Sequence, residues 1–221
     1  MQGYCQLVLQ DLLADPGELK PQPVNGDIEL EKVKFNYPSR PNIPIVWDLS
    51  IAFPAGKTAA LVVHPAPGNQ LSFLPLSGII KLDGVDLKKL NDKWLRMQIS
   101  LISQEPTLFV TTIKGNITYG LISIKYEHAS TRDKSRLIKE VCVKANADGF
   151  ITNMHLGYDT LVGECGFLMS SREKQRIAIA RAIVSDPRIL LLDEAISALD
   201  TQLEGIVQDA LDKAAAGEHV I

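Results

Sequence analysis

Four apolar residues, Ile189-Leu190-Leu191-Leu192, run directly into Asp193-Glu194, and no other stretch limits the fold so tightly. Two carboxylates at the end of an all-apolar strand belong at the carboxyl edge of a parallel sheet, where open α/β folds place their ligands. Asp193 and Glu194 as mere caps of a following helix is the alternative that the string alone leaves open. Upstream, Lys174 to Val184 reads as a helix that Asp186-Pro187 stops.

The rest of the chain fits around this junction. Residues 15–26, DPGELKPQPVNG, are rich in Pro and Gly, so residues 1–26 read as a tail or linker and the folded part starts near Asp27. From Ile28 the apolar residues alternate through Leu30, then Val33 and Phe35 after a one-residue slip; Leu49, Ile51 and Phe53 alternate likewise. Both are read as half-buried antiparallel strands. Thr58 to Val63 has the pattern of a strand buried on both faces, Asp83-Gly84 signals a hairpin, and Ile99 to Ile102 reads as a second buried strand. Leu137, Ile138, Val141 and Ala145 recur at helical spacing between Lys134 and Ala147. The pattern is therefore an α/β fold: a parallel-sheet core, an antiparallel β layer at the start, and a helical insertion over about residues 105–166. Trp47 and Trp94 are expected to pack inside, and Cys142 falls on the apolar face of its helix.

Composition excludes several classes. With 23 Lys plus Arg against 26 Asp plus Glu, interspersed, there is no basic stripe for nucleic acid. No run approaches the ~18–20 apolar residues of a spanning helix. Cys5, Cys142 and Cys165 are an odd number without a CxxC pair, which indicates neither a disulfide framework nor zinc.

The run KQRIAIARAIVSDPRILLLDEAISALD, with FNYPSRP around Tyr37, SGIIKLDGVDL, ISQEPTLF around Gln104 and IKGNITYG, resembles the nucleotide-binding domain of ABC transporters, in the wording of the eukaryotic multidrug-exporter branch. The resemblance covers about Asp27 to Ile221. It implies a P-loop NTPase-like core with ATP and Mg²⁺ as cofactors, and as partners a transmembrane domain and a second nucleotide-binding domain, on the cytoplasmic side of a membrane. It also implies roles. Tyr37 would stack on adenine, Gln104 would touch Mg²⁺, Asp193 would hold Mg²⁺ through water, and Glu194 would be the general base toward the attacking water. Ser170 would face the nucleotide of the opposite domain, and Asp200 would act across the dimer interface. Such roles suit phosphoryl transfer, which depends on positioning and charge neutralisation.

The departures are as specific as the matches. Where the family has a loop of the GPSGSGKST type, Val63 to Leu74 reads VHPAPGNQLSFL, with no lysine and two prolines that remove N–H donors. Gly56-Lys57-Thr58 precedes the strand instead of following it, so it is not that loop. The signature appears as MSSREKQR, with Arg172 and Glu173 where the family has Gly and Gln, although Ser170-x-x-Glu173 is a good capping box. The chain ends at Ile221, before the position of the family's switch histidine, so the domain is expected to be incomplete. Three readings stay open: an exporter ATPase domain in a defective translation, a catalytically dead binding module, or a remnant without function.

One permitted set of codons for Val63 to Leu74, with a single G in front and read one base earlier, translates as GPSGSGKSTIVS. The expectation is that these twelve residues are an out-of-frame translation, with frame regained near Pro75. Genomic and transcript sequence from Thr58 to Leu82 checks it: bases that yield no GPSGSGKST in another frame would refute it.

Overall fold

The one-residue slip in the first strand is a bulge. In a computed structural model, which describes residues 19–36, 44–57, 59, 77–103, 106–121, 129–163 and 169–192, β1 (Ile28–Asn36) pairs antiparallel with β2 (Pro44–Phe53). Leu30 lies opposite Ile51 and Val33 opposite Leu49, so β1 carries one residue more than its partner across that step. Lys32 takes up the excess at φ 49°, and its N–H donates to Ser50 Oγ at 3.0 Å. On the other side of β1 runs β3 (Ser77–Leu82), also antiparallel and also shifted in register past Glu31. Gly78, at φ 111°, is pressed against the bulge: a Cβ there would lie 2.7 Å from Val33 Cα and 2.9 Å from the carbonyl oxygens of Glu31 and Lys32.

Asp83-Gly84 forms the expected hairpin turn, with φ of 51° and 76°, the mirror-image turn that suits twisted strands. It leads to β4 (Val85–Asp86), giving the sheet order β2-β1-β3-β4. The Asp83 carboxylate accepts the backbone N–H groups of Asn25, Gly26 and Asp27 at 2.9–3.0 Å, and Leu19 bridges to Leu90. The incoming residues 19–27 are thus bonded to this sheet. Helix α1 (Asp92–Gln98) starts on Asn91, whose Oδ1 accepts the Trp94 N–H at 3.0 Å. Trp94 is buried with Leu82, Leu90 and Leu95, as expected for a packing tryptophan. Trp47 is not: it is 67% exposed, with Lys34 Nζ 4.2 Å from its ring centroid. The pleat explains the difference, because Val46 and Trp47 are neighbours on a strand and face opposite sides.

This sheet and α1 as far as Arg96 belong to one compact unit; the residues from Met97 form another. The second contains β5 (Ile99–Ile102), β6 (Thr111–Thr112), α2 (Ile113–Thr118), α3 (Thr131–Lys144), α4 (Asp148–Thr152), β7 (Leu161–Val162), α5 (Ser171–Ile183) and β8 (Ile189–Leu192). β5 and β8 pair in parallel, Ile99 opposite Ile189 through Ile102 opposite Leu192. Of the buried strand expected at Thr58 to Val63, only Ala59 is among the described residues. α3 begins three residues before the expected Lys134, because the Ser130 hydroxyl caps it by accepting the Asp133 N–H at 3.1 Å. Within the stretch read as a helical insertion, β6 and β7 form a short antiparallel pair. One core gathers Ile113, Ile117, Ile138, Cys142, Ile151 and Ile177. Among the described residues no helix is long and apolar enough to cross a membrane.

Two outcomes are expected from this packing. Gly78→Ala places a methyl group against backbone at a left-handed φ, so urea unfolding of the chain should show a loss of at least about 1–3 kcal/mol; an unchanged midpoint would mean that the bulge moves aside freely. Burial pushes the Cys142 thiol up from its ordinary 9.0 to about 12, opposed in part by a hydrogen bond with Tyr158. The folded chain keeps this proton where the unfolded chain loses it, so the thiol leaves stability unaffected below pH 9 and lowers it as pH rises from 9 toward 12. In a Cys5→Ser/Cys165→Ser background, a thiol reagent at pH 8 should label Cys142 in urea and leave it untouched in buffer; equal rates would show an open core.

Candidate functional site

The parallel register of β5 with β8 sets the framework of the site. Ile102 and Leu192 are partners at the carboxyl end of the pair, so both chains leave the sheet at the same edge. In sequence, Gln104 follows two residues after Ile102, and Asp193 and Glu194 follow directly after Leu192. Gln104, Asp193, Glu194 and Asp200, and the candidate Tyr37, lie outside the described residues, as does the anomalous run Val63 to Leu74. Among the described residues no group of three or more His, Cys, Asp or Glu side chains is arranged to hold a metal.

Ser170 is the one candidate whose surroundings are described. It is the N-cap of α5, and the capping box read from the sequence is present in full. The Glu173 N–H donates to Ser170 Oγ at 3.3 Å, while the Ser170 N–H and hydroxyl both donate to Glu173 Oε2 at 2.8 Å. A helix N-terminus attracts anions through its unpaired N–H groups and its dipole; here the Glu173 carboxylate lies beside it, accepting the Ser170 N–H and hydroxyl. A hydroxyl has one proton to give, and Ser170 gives it to Glu173. In this arrangement the Ser170 hydroxyl is committed to Glu173, and the carboxylate beside it would repel a phosphate oxygen.

The rest of α5 is held from several sides. Ile177, Ala178, Ile179 and Ala180 are buried, and Ser100 Oγ on β5 donates to the Ala182 carbonyl at 3.1 Å. Near the far end, Arg181 donates from a terminal guanidinium nitrogen to the Thr107 carbonyl at 3.2 Å, and its guanidinium carbon lies 5.1 Å from the Phe109 ring centroid. Desolvation there lowers the Arg181 pKa from its ordinary value; the group stays a cation at neutral pH.

Thr107 and Phe109 belong to the loop that follows Gln104, a region in which residue patterns alone had singled out nothing beyond Gln104 itself. The Phe109 ring packs on Tyr119 with centroids 4.5 Å apart at 36°, yet Phe109 is 47% exposed, Tyr119 49% and Val110 70%. Leu161, also exposed, sits on β7 opposite Thr112. Together they form an apolar surface beside the loop, of the kind that marks interaction sites. A signal for it was available: Asn116 is a polar residue on the face that Ile113 and Ile117 bury.

Residues 70–197 match the family described as ABC transporter. Over 209 residues the chain is 57% identical to the ABC multidrug transporter MDR1 of Cryptococcus neoformans var. grubii, an alignment that covers 91% of this chain and 15% of the relative. It is 53% identical over 203 residues to the ABC multidrug transporter atrD of Emericella nidulans, covering 89% and 15%, and 52% identical over 203 residues to the sophorolipid transporter of Starmerella bombicola, covering 89% and 16%. The chain thus spans about a seventh of the length of these relatives. Among solved structures it is similar to a bacterial Atm1-family ABC exporter with ATP bound, with a TM-score of 0.77 and 30% identity, covering 95% of this chain and 36% of that one. The chain belongs to the ABC transporter family and carries the fold of its nucleotide-binding domain.

Proposed function

We propose that the chain is the nucleotide-binding part of an ABC exporter, in which MgATP bound between two such domains drives a membrane domain from the cytoplasmic side. The observation that carries this reading is the parallel register of Ile102 with Leu192, which sends the chain toward Gln104 and toward Asp193-Glu194 from one sheet edge. In this reading residues 1–26 are an incoming linker and residues 27–221 the domain, with a helical insertion over about 105–166. Gln104 and Asp193 hold Mg²⁺, Glu194 polarises the attacking water, Tyr37 stacks on adenine, and Asp200 acts across the dimer interface. Bound MgATP would supply the transferable phosphoryl group and the cation that neutralises its charge. The exposed apolar surface of Phe109, Val110, Tyr119 and Leu161 receives the membrane domain. That assignment rests on its exposure and on relatives that are transporters several times the length of this chain.

A second reading, a binding module without catalysis, is favoured by the Ser170 and Glu173 geometry. The helix keeps its capping box, while the hydroxyl that would meet a phosphate is committed to a carboxylate.

Titration of labelled MgATP separates the two. Each charge-assisted hydrogen bond is worth about 1.5–3 kcal/mol. Loss of a loop lysine and one or two N–H donors should therefore make the chain bind about three orders of magnitude more weakly than a version with residues 63–74 replaced by GPSGSGKSTIVS. In the replaced version, Glu194→Gln should abolish hydrolysis. Micromolar Mg²⁺-dependent binding by the original chain would overturn the expected impairment. A folded replaced version that binds no ATP would overturn the exporter-ATPase reading in favour of the binding module.

A further inference from the structure

Asn116 is fully buried on α2, among Ile113, Ile117 and Leu121. A buried amide costs free energy unless its hydrogen bonds are made, and an aliphatic side chain would fill an apolar site without that demand. Its partners show what the amide does. Oδ1 accepts the Phe109 N–H at 2.8 Å, and Nδ2 donates to the carbonyls of Phe109 and Thr112, each at 3.1 Å. Both donors are used, and the peptide groups on either side of the Phe109 Cα are fixed by one side chain. The ring is held as well, by Tyr119 on α2's C-terminal side and by the Arg181 guanidinium from α5, which also takes the Thr107 carbonyl. An aromatic residue immobilised this completely is usually in a core. Phe109 is nearly half exposed.

We propose that Asn116 is a positioning residue, which holds Phe109 out as a preorganised aromatic anchor for the membrane domain. The inference rests on the docking surface proposed above and adds the device that makes it rigid. Ordering of side chains and loops opposes association, and interface energy concentrates in a few packed aromatic anchors. A Phe fixed before the partner arrives loses little further freedom on binding. The same amide also explains why a polar residue occupies a helix face that is otherwise aliphatic.

The test uses the chain and a nanodisc preparation of the Cryptococcus relative's transporter from which the segment matching this chain has been deleted, with affinity measured alongside amide exchange. Phe109→Ala should weaken binding at least tenfold. Asn116→Ala should weaken it comparably and speed exchange of the Phe109 amide at least tenfold, with Ile177 and Ile179 on α5 as protected as before. The double variant should bind no more weakly than Phe109→Ala alone, a coupling that general destabilisation would not produce. Should Asn116→Ala fail to fold, Arg181→Gln releases the ring from outside the docking surface and should weaken binding in the same direction. If Phe109→Ala binds like the original chain, the docking surface itself is wrong. If Phe109→Ala weakens binding but the folded Asn116→Ala does not, or, where that variant is unfolded, Arg181→Gln does not, the surface stands and the positioning role falls.

Discussion

Helix α5 is the element on which the second unit depends. Its alanines at 178, 180 and 182 are small enough to let neighbours approach closely, and Ile177 and Ile179 fill the core shared with α2 and α3. The Ala182 carbonyl, near the C-terminal end where helix carbonyls lack internal partners, accepts the Ser100 hydroxyl from β5. A helix secured in this way can carry geometry from end to end: Ser170 to Arg181 spans about 16 Å at 1.5 Å per residue. The capped terminus and the cation that steadies the Phe109 loop are therefore two ends of one rigid body.

What was legible in the sequence is what local chemistry decides. The apolar run ending in Asp193-Glu194, the Ser170-x-x-Glu173 box, the Asp83-Gly84 turn and the slip between Leu30 and Val33 are each written within a few residues, and the strand, cap, turn and bulge follow. What was not legible depends on partners far along the chain. β6 and β7 are two residues each, too short for a period of two to show, and Thr111 meets Val162 only through the fold of everything between them. Trp47 carries no mark that distinguishes it from Trp94; which side of the sheet is covered decides that it lies open. At the site, Tyr37, Gln104, Asp193, Glu194 and Asp200 were read from a family resemblance and from the strand-to-acid junction, and lie outside the described residues. Ser170 is the candidate for which both the sequence reading and a described geometry exist.

That geometry shows how folding and chemistry separate at one position. For the helix, Glu173 is an improvement: a carboxylate in the first turn interacts well with the dipole and completes the box. For anion recognition it is a competitor, since it takes both donors of Ser170. A substitution that keeps the cap while taking up the donors of Ser170 need not lower stability, so a chain of this kind can fold as its relatives do and still differ from them in what it binds.

The two faces of the second unit are under different demands for the same reason. At the α5 N-terminus, Ser170 and Glu173 satisfy one another. At the Phe109 loop, buried polar groups are also satisfied, but by fixing backbone, which leaves an apolar ring for something else to cover. Hydrogen-bond saturation is common to both. What differs is the surface that saturation leaves behind, polar at one end of α5 and aromatic at the other, so a change in the groups at one end need not disturb the other.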